Sequence, residues 1–529
     1  MSNMKKTVAH VDELANNEMK KVEISGQEIL LVRFNNNYYA LGYKCPHFEG
    51  PLSEGVMNKG RVRCPWHQAR FNLITGDLEE PPSLNALSKF EVRINGKDVI
   101  VEIPEDAKAS RVPDMAEYRP KHDDRTFLIL GAGAAGNAAA EALRQFGFEG
   151  RIRMVTKDKH RPYDRTQLSK YRMRTRNTRV PSLRSEKFYS KHQIEVQTET
   201  KSTTVDRMEK KVGFTNGETI TYDKLLIATG SEPKKLQVPQ ANLGNIYTLR
   251  TAEDARKIIK TAENASNAVI VGAGFIGMET AASLSNDDLK VTVVAPEETP
   301  FEKTFGQQIG NVFKKEHTSN GVNFELENKV KQFEGEENVD RVILQDGTEL
   351  AADLVLVGIG VNPATDFLDE SFDLNADGSI TVDEYMKVEE DIYAAGDIAR
   401  FKDWRTGTHI RIEHWRLAQQ HGRIAARNMI EEGTTYRSIP LFWTNQFDLY
   451  FRYVGHVTEW DELIIRGDLS KKSFIAYYEK DGEILATAGA NKNKEIAAIA
   501  ELMKMDKMPK PRKVKEGIDP VKQLKELQQ

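Results

Sequence analysis

The amino-acid sequence predicts a multidomain protein of mixed β and α/β class. Its 529 residues are too many for one ordinary hydrophobic core. The first hundred residues contain short β-type runs, whereas later segments pass from a buried strand into a Gly-rich turn and a helix. Two such units begin near residues 126 and 267, a spacing far longer than that of a solenoid repeat. We therefore expect two Rossmann-like domains behind a β-rich N-terminal domain.

The composition excludes several functional classes. A formal net charge of −4 is unlike the basic surface of a nucleic-acid-binding domain. No apolar run approaches the roughly 18 residues that a membrane-spanning helix needs. Residues 1–21 lack the features of a signal or transit peptide. The sequence therefore predicts a cytoplasmic location, no membrane span and no nucleic-acid partner.

Short strands and a hairpin signal predict a β-sandwich domain over residues 1–107. Apolar runs near residues 30 and 40 are separated by a polar turn. Residues 90–94 precede Asn95-Gly96, a pair that tolerates the positive φ angles of a type I′ turn. The charged segment 108–124 contains two prolines and is typical of a linker.

Both cysteines of the chain lie in this N-terminal domain, each beside a histidine. They occur as Cys45-Pro46-His47 and, after sixteen intervening residues, Cys64-Pro65-Trp66-His67. In a Rieske [2Fe–2S] centre, two cysteines bind one iron and two histidines bind the other, so each loop would supply one ligand to each iron. A Cys2His2 zinc site uses the same ligand types and remains an alternative, although zinc sites usually pair Cys with Cys and His with His.

The residues around these ligands resemble a Rieske ferredoxin. The resemblance rests on residues 45–52, residues 64–71 and Thr75-Gly76-Asp77, and it covers about residues 6–104. It implies a cluster held by Cys45, His47, Cys64 and His67. Since the chain lacks the additional cysteine pair of respiratory Rieske proteins, the resemblance points to the lower-potential ferredoxin type.

The first glycine motif, Gly131, Gly133 and Gly136, follows an apolar strand and opens an Ala-rich helix. Such glycines permit a tight turn, close approach of a pyrophosphate and close packing of helix against strand. The helix N-terminus adds free N–H groups for the phosphates. We expect the acid that binds the ribose after the next strand, where Asp158 is the candidate and Lys157 precedes it.

The second glycine motif, Gly272, Gly274 and Gly277, has the same setting. After its second strand the chain offers Glu297 and no arginine, which favours NADH over NADPH because an acid repels a 2′-phosphate. For both motifs, a simple helix–strand turn without a nucleotide is the alternative.

Five further segments resemble flavoproteins that have two dinucleotide-binding domains, in particular the ferredoxin-reductase branch with putidaredoxin reductase and apoptosis-inducing factor. These segments are residues 162–170, 225–230, 393–397, 411–415 and 442–444. The match covers about residues 125–505. Together with the N-terminal domain, the chain resembles the Rieske-bearing, apoptosis-inducing-factor-3-like family.

This resemblance implies which residues bind the cofactors. It places the FAD contacts, besides the glycine motif and Asp158, at Arg165, Lys170, Thr229, Gly230, Gly396, Asp397 and Trp415. Lys170 would approach the flavin and pair with Glu279 of the NAD(P)H domain, while His414 and Trp443 would line the pocket. Each assignment has an alternative that needs no cofactor. These are helix capping by Asp397, a helix-dipole role for Glu279, a surface ion pair for Arg165, and core packing for the aromatic residues.

The predicted layout has six parts. They are a Rieske domain (1–107), a linker (108–124), an FAD-binding domain in two segments (125–245 and 351–435), an inserted NAD(P)H-binding domain (246–350), a C-terminal α+β reductase domain (436–505) and a charged tail (506–529). We expect the Lys-rich run from Lys504 to be solvated, with docking of an acidic redox partner as the alternative.

The predicted function is electron transfer by an FAD-dependent NAD(P)H oxidoreductase. Electrons would pass from NADH through FAD to the Rieske cluster and on to an unidentified acceptor, either a protein or a small molecule. No catalytic acid or base is expected, because the chemistry belongs to the cofactors. The alternative is a redox-sensing flavoprotein with slow turnover, and a homodimer is left open.

Overall fold

The structure, a computed structural model, describes residues 3–285 and 288–528. Its N-terminal domain contains two antiparallel sheets. The larger sheet has, in spatial order, the strands Asn3–His10, Asp98–Pro104, Lys89–Asn95, Asn37–Gly42, Gln27–Phe34 and Glu18–Ile24. The smaller sheet has the strands Val56–Asn58, Arg61–Arg63, Arg70–Asn72 and Leu78–Glu80, preceded by the 3-10 helix Leu52–Glu54.

The strand Gln27–Phe34 is buried on both faces, which explains its continuous apolar run. Ile29 and Leu31 belong to one core cluster. Leu30 and Val32 belong to another, which they share with both cysteines and with the smaller sheet. Successive side chains of a strand point to opposite faces, so this one strand fills both halves of the core.

The predicted hairpin near residue 95 is present, but its turn differs from the expected one. Asn95 pairs with Asp98, so the two-residue loop is Gly96-Lys97. Only Gly96 of these two has a positive φ, at 59°. A glycine at the first central position is typical of a type II′ turn. A type I′ conformation occurs instead at Asn35-Asn36, where φ is 49° and 60°.

The first Rossmann-like domain is built on a sheet whose first five strands are parallel. In spatial order its strands are Ile194–Gln197, Arg151–Val155, Thr126–Leu130, Lys224–Ile227, Ile392–Ala394 and the antiparallel Lys387–Glu389. Its helices are Ala134–Gln145, Tyr171–Arg174, Glu186–Lys191 and Trp415–Ile430, with the 3-10 helix Arg165–Gln167. A three-stranded sheet lies beside it, with strands Ser202–Asp206, Lys211–Phe214 and Thr219–Thr221.

Two helices of this domain cross in close contact. Gly422 of the helix Trp415–Ile430 faces the helix Ala134–Gln145, and a Cβ on it would lie 2.1 Å from the Ala135 carbonyl oxygen. The close approach of these helices therefore requires glycine at position 422.

The second Rossmann-like domain has an all-parallel sheet. Its strands, in spatial order, are Ile246–Tyr247, Leu354–Val357, Asn267–Val271, Lys290–Val294 and Asn323–Glu325. Its helices are Ala252–Ala262, Phe275–Leu284, Glu302–Phe305 and Gln307–Ser319. A small sheet completes it, with strands Val330–Glu334, Arg341–Leu344 and Glu349–Ala351.

The predicted return to the first domain at residue 351 is one strand too early. Leu354–Val357 lies between two strands of the second sheet and pairs in parallel with Asn267–Val271. The chain returns to the first domain after this strand, and two small sheets accompany the crossing. They are the pair Ser231–Pro233 and Val361–Pro363, and a sheet of Ile380–Thr381, Ala399–Lys402 and His409–Ile410.

The C-terminal domain is α+β, as the sequence predicts. Its five antiparallel strands are Leu441–Gln446, Leu449–Gly455, Glu483–Ala490, Ser473–Lys480 and Glu462–Asp468. Its helices are Asn493–Lys504, Pro511–Glu516 and Pro520–Glu526.

The separation of residues 506–529 as a charged tail is wrong for the part that the structure describes, whereas the lysines at 507, 510, 513 and 515 are exposed, as expected. Val514 packs into the core of the C-terminal domain. Leu524 joins Val56 of the N-terminal domain in a buried apolar cluster, and Gln528 Nε2 donates to the Met57 carbonyl oxygen at 2.7 Å. The chain end therefore holds the first domain against the last.

The predicted linker is extended and lies against the protein. Ser110–Arg111 pairs with the strand Ala86–Leu87, and the Ala116 N–H donates to the Arg144 carbonyl at 2.8 Å. Within the described part of the chain, no helix is long and apolar enough to cross a membrane.

Candidate functional site

The two loops that carry the cysteines have the same backbone geometry. The Cys45 N–H donates to the Gly50 carbonyl at 2.9 Å, and the Cys64 N–H donates to the Ala69 carbonyl at 2.8 Å. In each loop the residue four positions after the cysteine has a positive φ, 58° at Glu49 and 66° at Gln68. We call residues 45–50 the first ligand loop and residues 64–69 the second ligand loop.

The loops bring the four predicted ligands together as two pairs. The buried Cys45 and Cys64 thiols contact each other, and the Nδ1 atoms of His47 and His67 are 3.2 Å apart. A Cβ on Gly50 would lie 2.8 Å from Cys64 Sγ, so this position requires glycine. Among residues 3–285 and 288–528, no three His, Cys, Asp or Glu side chains surround one point as a single ion requires. The paired arrangement fits two irons.

Burial keeps both imidazoles in the form that binds metal. It lowers the pKa of His47 to about 4 and lowers the pKa of His67 as well. A metal ligand must present an unprotonated nitrogen. The residues therefore suit a Rieske cluster in charge state as well as in ligand type.

The two glycine motifs have matching geometry. Their first glycines, Gly131 and Gly272, have φ of 107° and 109°. Their third glycines, Gly136 and Gly277, pack against the strand. A Cβ would lie 1.9 Å from the Gly131 oxygen in the first motif and 2.0 Å from the Gly272 oxygen in the second.

Open space adjoins the second glycine of each motif. A Cβ on Gly133 or Gly274 would meet no atom within 4 Å, and each residue is the N-cap of a helix. A pyrophosphate needs such a cradle, with backbone N–H groups at a helix N-terminus. Both motifs therefore fit a dinucleotide.

Asp397, predicted to bind FAD, lies beside a half-buried arginine. Its Oδ2 accepts from Ser231 Oγ at 2.7 Å and from Arg250 Nη2 at 3.1 Å. Burial opposes ionisation, but the Arg250 charge and these hydrogen bonds lower the pKa of Asp397 below 3.8. The carboxylate is therefore charged and keeps acceptor capacity for a hydroxyl group.

Other predicted FAD residues lie at the same edge of the sheet. Gly230 has φ 74° and faces Arg250, whose Nη2 would be 2.8 Å from an added Cβ. Thr229 Oγ1 donates to the Ala364 carbonyl at 2.8 Å. Gly396, with φ 84°, lies against Ala135 of the first glycine-motif helix. The two segments of the domain therefore meet at these positions.

Asp158 and Arg165 have polar partners within the protein. Asp158 Oδ2 accepts from the Tyr163 hydroxyl at 2.7 Å and lies 3.8 Å from Arg165 Nη2. The preceding Lys157 pairs with the exposed Glu232. Asp158 therefore points toward the segment 162–170 that the family resemblance singled out.

Trp415 and Glu297 have surroundings that allow more than one role. Trp415 begins the helix Trp415–Ile430 and packs against the core of the first Rossmann-like domain, as the core-packing alternative expects. Glu297 follows the strand Lys290–Val294 as predicted, and its Oε1 lies 2.8 Å from Lys303 Nζ.

The predicted contact between Lys170 and Glu279 is present. Lys170 Nζ lies 2.7 Å from Glu279 Oε1. Glu279 is buried and also accepts from Ser169 Oγ at 2.6 Å and from Thr444 Oγ1 at 2.8 Å. This carboxylate, on the second Rossmann-like domain, thus joins the first domain and the C-terminal domain at one point.

A row of rings connects the second ligand loop to this pocket. The His67 and Trp443 rings are 4.8 Å apart between centroids, and the Trp443 and His414 rings are 5.0 Å apart. His47 is farther from Trp443, at 6.3 Å. Burial lowers the pKa of His414 to about 3, and among the described residues its buried Nδ1 has no hydrogen-bond partner. This unpartnered ring nitrogen is suited to a hydrogen bond with a bound group in the pocket.

A buried network of charges, which the sequence did not indicate, lies between the N-terminal domain and the rest of the chain. Arg416 Nη2 donates to Glu80 Oε2 at 2.8 Å, and Lys504 pairs with the same carboxylate. Glu501 Oε1 accepts from Arg63 at 2.5 Å, and its Oε2 accepts from Asn58 Nδ2 at 2.6 Å and lies 3.5 Å from Arg70 Nη2. No sequence spacing signals contacts between residues that lie hundreds of positions apart.

Two arginines of the reductase part also hold the second ligand loop. Arg452 Nε donates to the Trp66 carbonyl at 2.8 Å, and Arg416 Nη2 donates to the Gln68 carbonyl at 3.4 Å. These carbonyls flank His67, so the loop that faces Trp443 is fixed on both sides.

Comparison with known families assigns each region of the chain. Residues 4–91 match the Rieske [2Fe-2S] domain, residues 125–422 match the pyridine nucleotide-disulphide oxidoreductase model, and residues 441–528 match the reductase C-terminal model. The last match includes most of the segment that the sequence analysis treated as a tail.

Individual relatives show how much of the chain is similar to known proteins. Apoptosis-inducing factor 3 of Mus musculus is 40% identical over 96% of this chain and 85% of its own length. Rhodocoxin reductase of Rhodococcus erythropolis is 31% identical over 72% of this chain and 89% of its own. The crystal structure of the covalent putidaredoxin reductase–putidaredoxin complex aligns with a TM-score of 0.72 and 28% identity, over 76% of this chain and 98% of the other.

Proposed function

Since the chain belongs to the pyridine nucleotide-disulphide oxidoreductase family, with the domain order of apoptosis-inducing factor 3, we propose that it passes electrons from NADH to its own Rieske cluster and then to a separate acceptor. The chain is an FAD-dependent oxidoreductase that uses NADH and carries a Rieske [2Fe–2S] cluster. Both of its cysteines lie in the ligand loops, so no dithiol pair is left for disulfide chemistry.

The cofactors supply the conversion between two-electron and one-electron chemistry. The protein holds them, excludes water and sets their separation. Cys45, His47, Cys64 and His67 are the proposed cluster ligands, supported by the two matching loops and the paired side chains.

FAD would lie on the first glycine motif, with Asp397 as the acceptor for one of its hydroxyl groups. The lowered pKa of Asp397 keeps this carboxylate charged. Lys170 would face the flavin ring, and the ion pair with Glu279 at 2.7 Å fixes its ammonium group. Ser169 and Thr444 hold Glu279 in turn, so binding of FAD and of NADH would share one supporting carboxylate.

The observation that carries the proposal is the row of rings His67–Trp443–His414. Trp443 belongs to the C-terminal domain and lies between an imidazole of the cluster and an imidazole of the pocket, with centroid separations of 4.8 and 5.0 Å. A contact this close across a domain boundary gives electrons a short route that contains no solvent gap.

The Rieske domain takes the place of a separate ferredoxin in this arrangement. One solved relative is a covalent complex of putidaredoxin reductase with putidaredoxin. Here the buried network around Glu80 and Glu501 holds the electron carrier of the same chain against the reductase. The acceptor would therefore receive electrons one at a time from the cluster.

A stopped-flow experiment tests this route. The full chain, loaded with FAD and cluster, is mixed with NADH without oxygen, and flavin bleaching and cluster reduction are followed separately. In Trp443→Leu we expect the rate of cluster reduction to fall by a larger factor than the rate of flavin reduction, because Trp443 lies between the pocket and the second ligand loop.

Trp460→Leu is the matched control. Trp460 is also in the C-terminal domain, but it packs on Tyr478 at 5.0 Å and takes no part in the row. Equal rates of cluster reduction in the two variants would contradict the proposed route. Slow flavin reduction in the wild type, with a long-lived complex, would favour the redox-sensing function instead.

A further inference from the structure

Arg452 lies on the strand Leu449–Gly455, with its side chain buried where the C-terminal domain meets the second ligand loop. Its Nε donates to the Trp66 carbonyl at 2.8 Å. Its Nη1 donates to Asn445 Oδ1 at 2.9 Å and to the Phe451 carbonyl at 3.0 Å. The guanidinium is therefore fixed by its own domain and holds the loop of another.

Unlike its neighbours, Arg452 is a buried cation without a carboxylate partner in the described part of the chain. Arg416 pairs with Glu80, and Arg63 pairs with Glu501. Burial lowers the pKa of Arg452 to about 10, and among residues 3–285 and 288–528 the groups that act on it as potential anions are Cys64 and Tyr450. Buried charges are normally paired, so the missing partner needs an explanation.

A bound cluster would supply that partner, because its ligand Cys64 already acts on Arg452. A [2Fe–2S] cluster with two thiolate and two neutral imidazole ligands becomes more negative by one charge when it accepts one electron. A fixed cation in a low-dielectric site favours the more negative form. The Arg452 charge is compensated best when the cluster is reduced and the domain is docked.

We propose that Arg452 is a positioning residue that couples the redox state of the cluster to the docking of the Rieske domain. Its charge raises the reduction potential of the docked cluster. Coupling between two equilibria is reciprocal, so reduction tightens the hold on the second ligand loop. The inference rests on the proposed cluster ligands, and the electron is the one that the NADH-dependent activity supplies.

The first test is the reduction potential of the cluster in the full chain, measured by a redox titration with EPR detection. We expect Arg452→Gln to lower the potential and Arg452→Lys, which keeps the charge, to lower it less. Arg405→Gln is the control, because Arg405 is a partly buried arginine that donates to the Leu485 and Ile484 carbonyls of the same sheet. We expect it to leave the potential unchanged.

The second test begins with the wild-type chain, so its first result does not depend on the folding of a variant. Hydrogen exchange of residues 64–69 is compared in the oxidised protein and in the protein reduced by dithionite. We expect slower exchange after reduction in the wild type and in Arg405→Gln, and a smaller difference in Arg452→Gln.

The outcomes separate this inference from the function on which it rests. A Rieske EPR signal with equal potentials in Arg452→Gln, Arg405→Gln and the wild type would overturn the coupling and leave the cluster assignment intact. Exchange in the wild type that does not depend on redox state would overturn the coupling as well. A complete absence of the EPR signal in wild type containing full iron would instead refute the cluster ligands.

Discussion

Glu501→Gln perturbs the interface between the Rieske domain and the C-terminal domain most directly. The Glu501 carboxylate is 1% exposed and accepts hydrogen bonds from Arg63 at 2.5 Å and from Asn58 at 2.6 Å. Neutralising it leaves the buried Arg63 guanidinium with Glu80, at 3.6 Å, as its remaining carboxylate partner.

The size of the effect follows from this geometry. Removing one partner of a buried ion pair typically costs about 3–5 kcal/mol. Because Glu80 retains part of the compensation for Arg63 and Arg70, we expect the lower end, about 3 kcal/mol. At about 1.4 kcal/mol per tenfold change, the ratio of docked to undocked molecules should fall about 100-fold.

Hydrogen exchange of the full chain measures this change. The sheet strand Arg61–Arg63 and the helix Asn493–Lys504 should exchange up to about 100-fold faster in Glu501→Gln, because exchange follows local opening. The control is Glu483→Gln, which removes an exposed carboxylate paired with Lys510 and should cost at most about 1 kcal/mol. Equal exchange in the two variants would refute the docking role of Glu501.

Three further outcomes are expected. Burial opposes the ionisation of Glu80, but Lys504 and three arginines hold the pKa of Glu80 well below 4.5. The stability that the wild type has over Glu80→Gln should therefore be constant from pH 8 to pH 5 and decline below pH 4.5. Thermal unfolding measured as a function of pH checks this. Gly277→Ala, whose Cβ would lie 2.0 Å from the Gly272 oxygen, should raise the KM for NADH and leave FAD content unchanged, whereas Gly136→Ala should lower FAD content. Glu297→Arg should shift the ratio of kcat/KM values from NADH toward NADPH.

Each of these three has an outcome that contradicts it. A stability difference that grows on acidification would exclude an ionised Glu80. Loss of FAD in Gly277→Ala would contradict the assignment of the second glycine motif to NADH, because the motif would then be needed for FAD binding. An unchanged preference in Glu297→Arg would mean that Glu297, whose Oε1 lies 2.8 Å from Lys303 Nζ, does not face the ribose.

The two Cys–His loops and the glycine motifs could be located from the sequence because their geometry is local. Cys45 and His47 are two positions apart in the sequence. The turn at Gly131 has a φ of 107°, which glycine adopts readily. Ligand type, spacing and conformational freedom are all readable in a short window of sequence. The same holds for the strand Gln27–Phe34, whose apolar run reports burial on both faces.

The docking of the domains was not predictable from such windows. Glu80 and Arg416 meet across 336 positions, and nothing in their own segments marks them as partners. Lys504 belongs to a basic run that is typical of a solvated surface, yet it pairs with Glu80.

The folded chain end did leave a signal. Asp519 caps the helix Pro520–Glu526 by accepting from the Val521 and Lys522 N–H groups. An aspartate followed by proline is a helix start, and Leu524 lies one turn into that helix, on its buried face. The many charged residues around this helix start are typical of an exposed segment, so the buried Leu524 was not predicted.

In the proposed route, electrons from NADH reach the cluster inside one chain. An anaerobic titration of the loaded protein with NADH, followed by visible absorbance and low-temperature EPR, tests this route. We expect the flavin to bleach, a Rieske EPR signal to appear afterwards, and the chain to take up more NADH than its flavin alone requires. A flavin that bleaches while the cluster stays oxidised, in protein whose cluster dithionite does reduce, would contradict it.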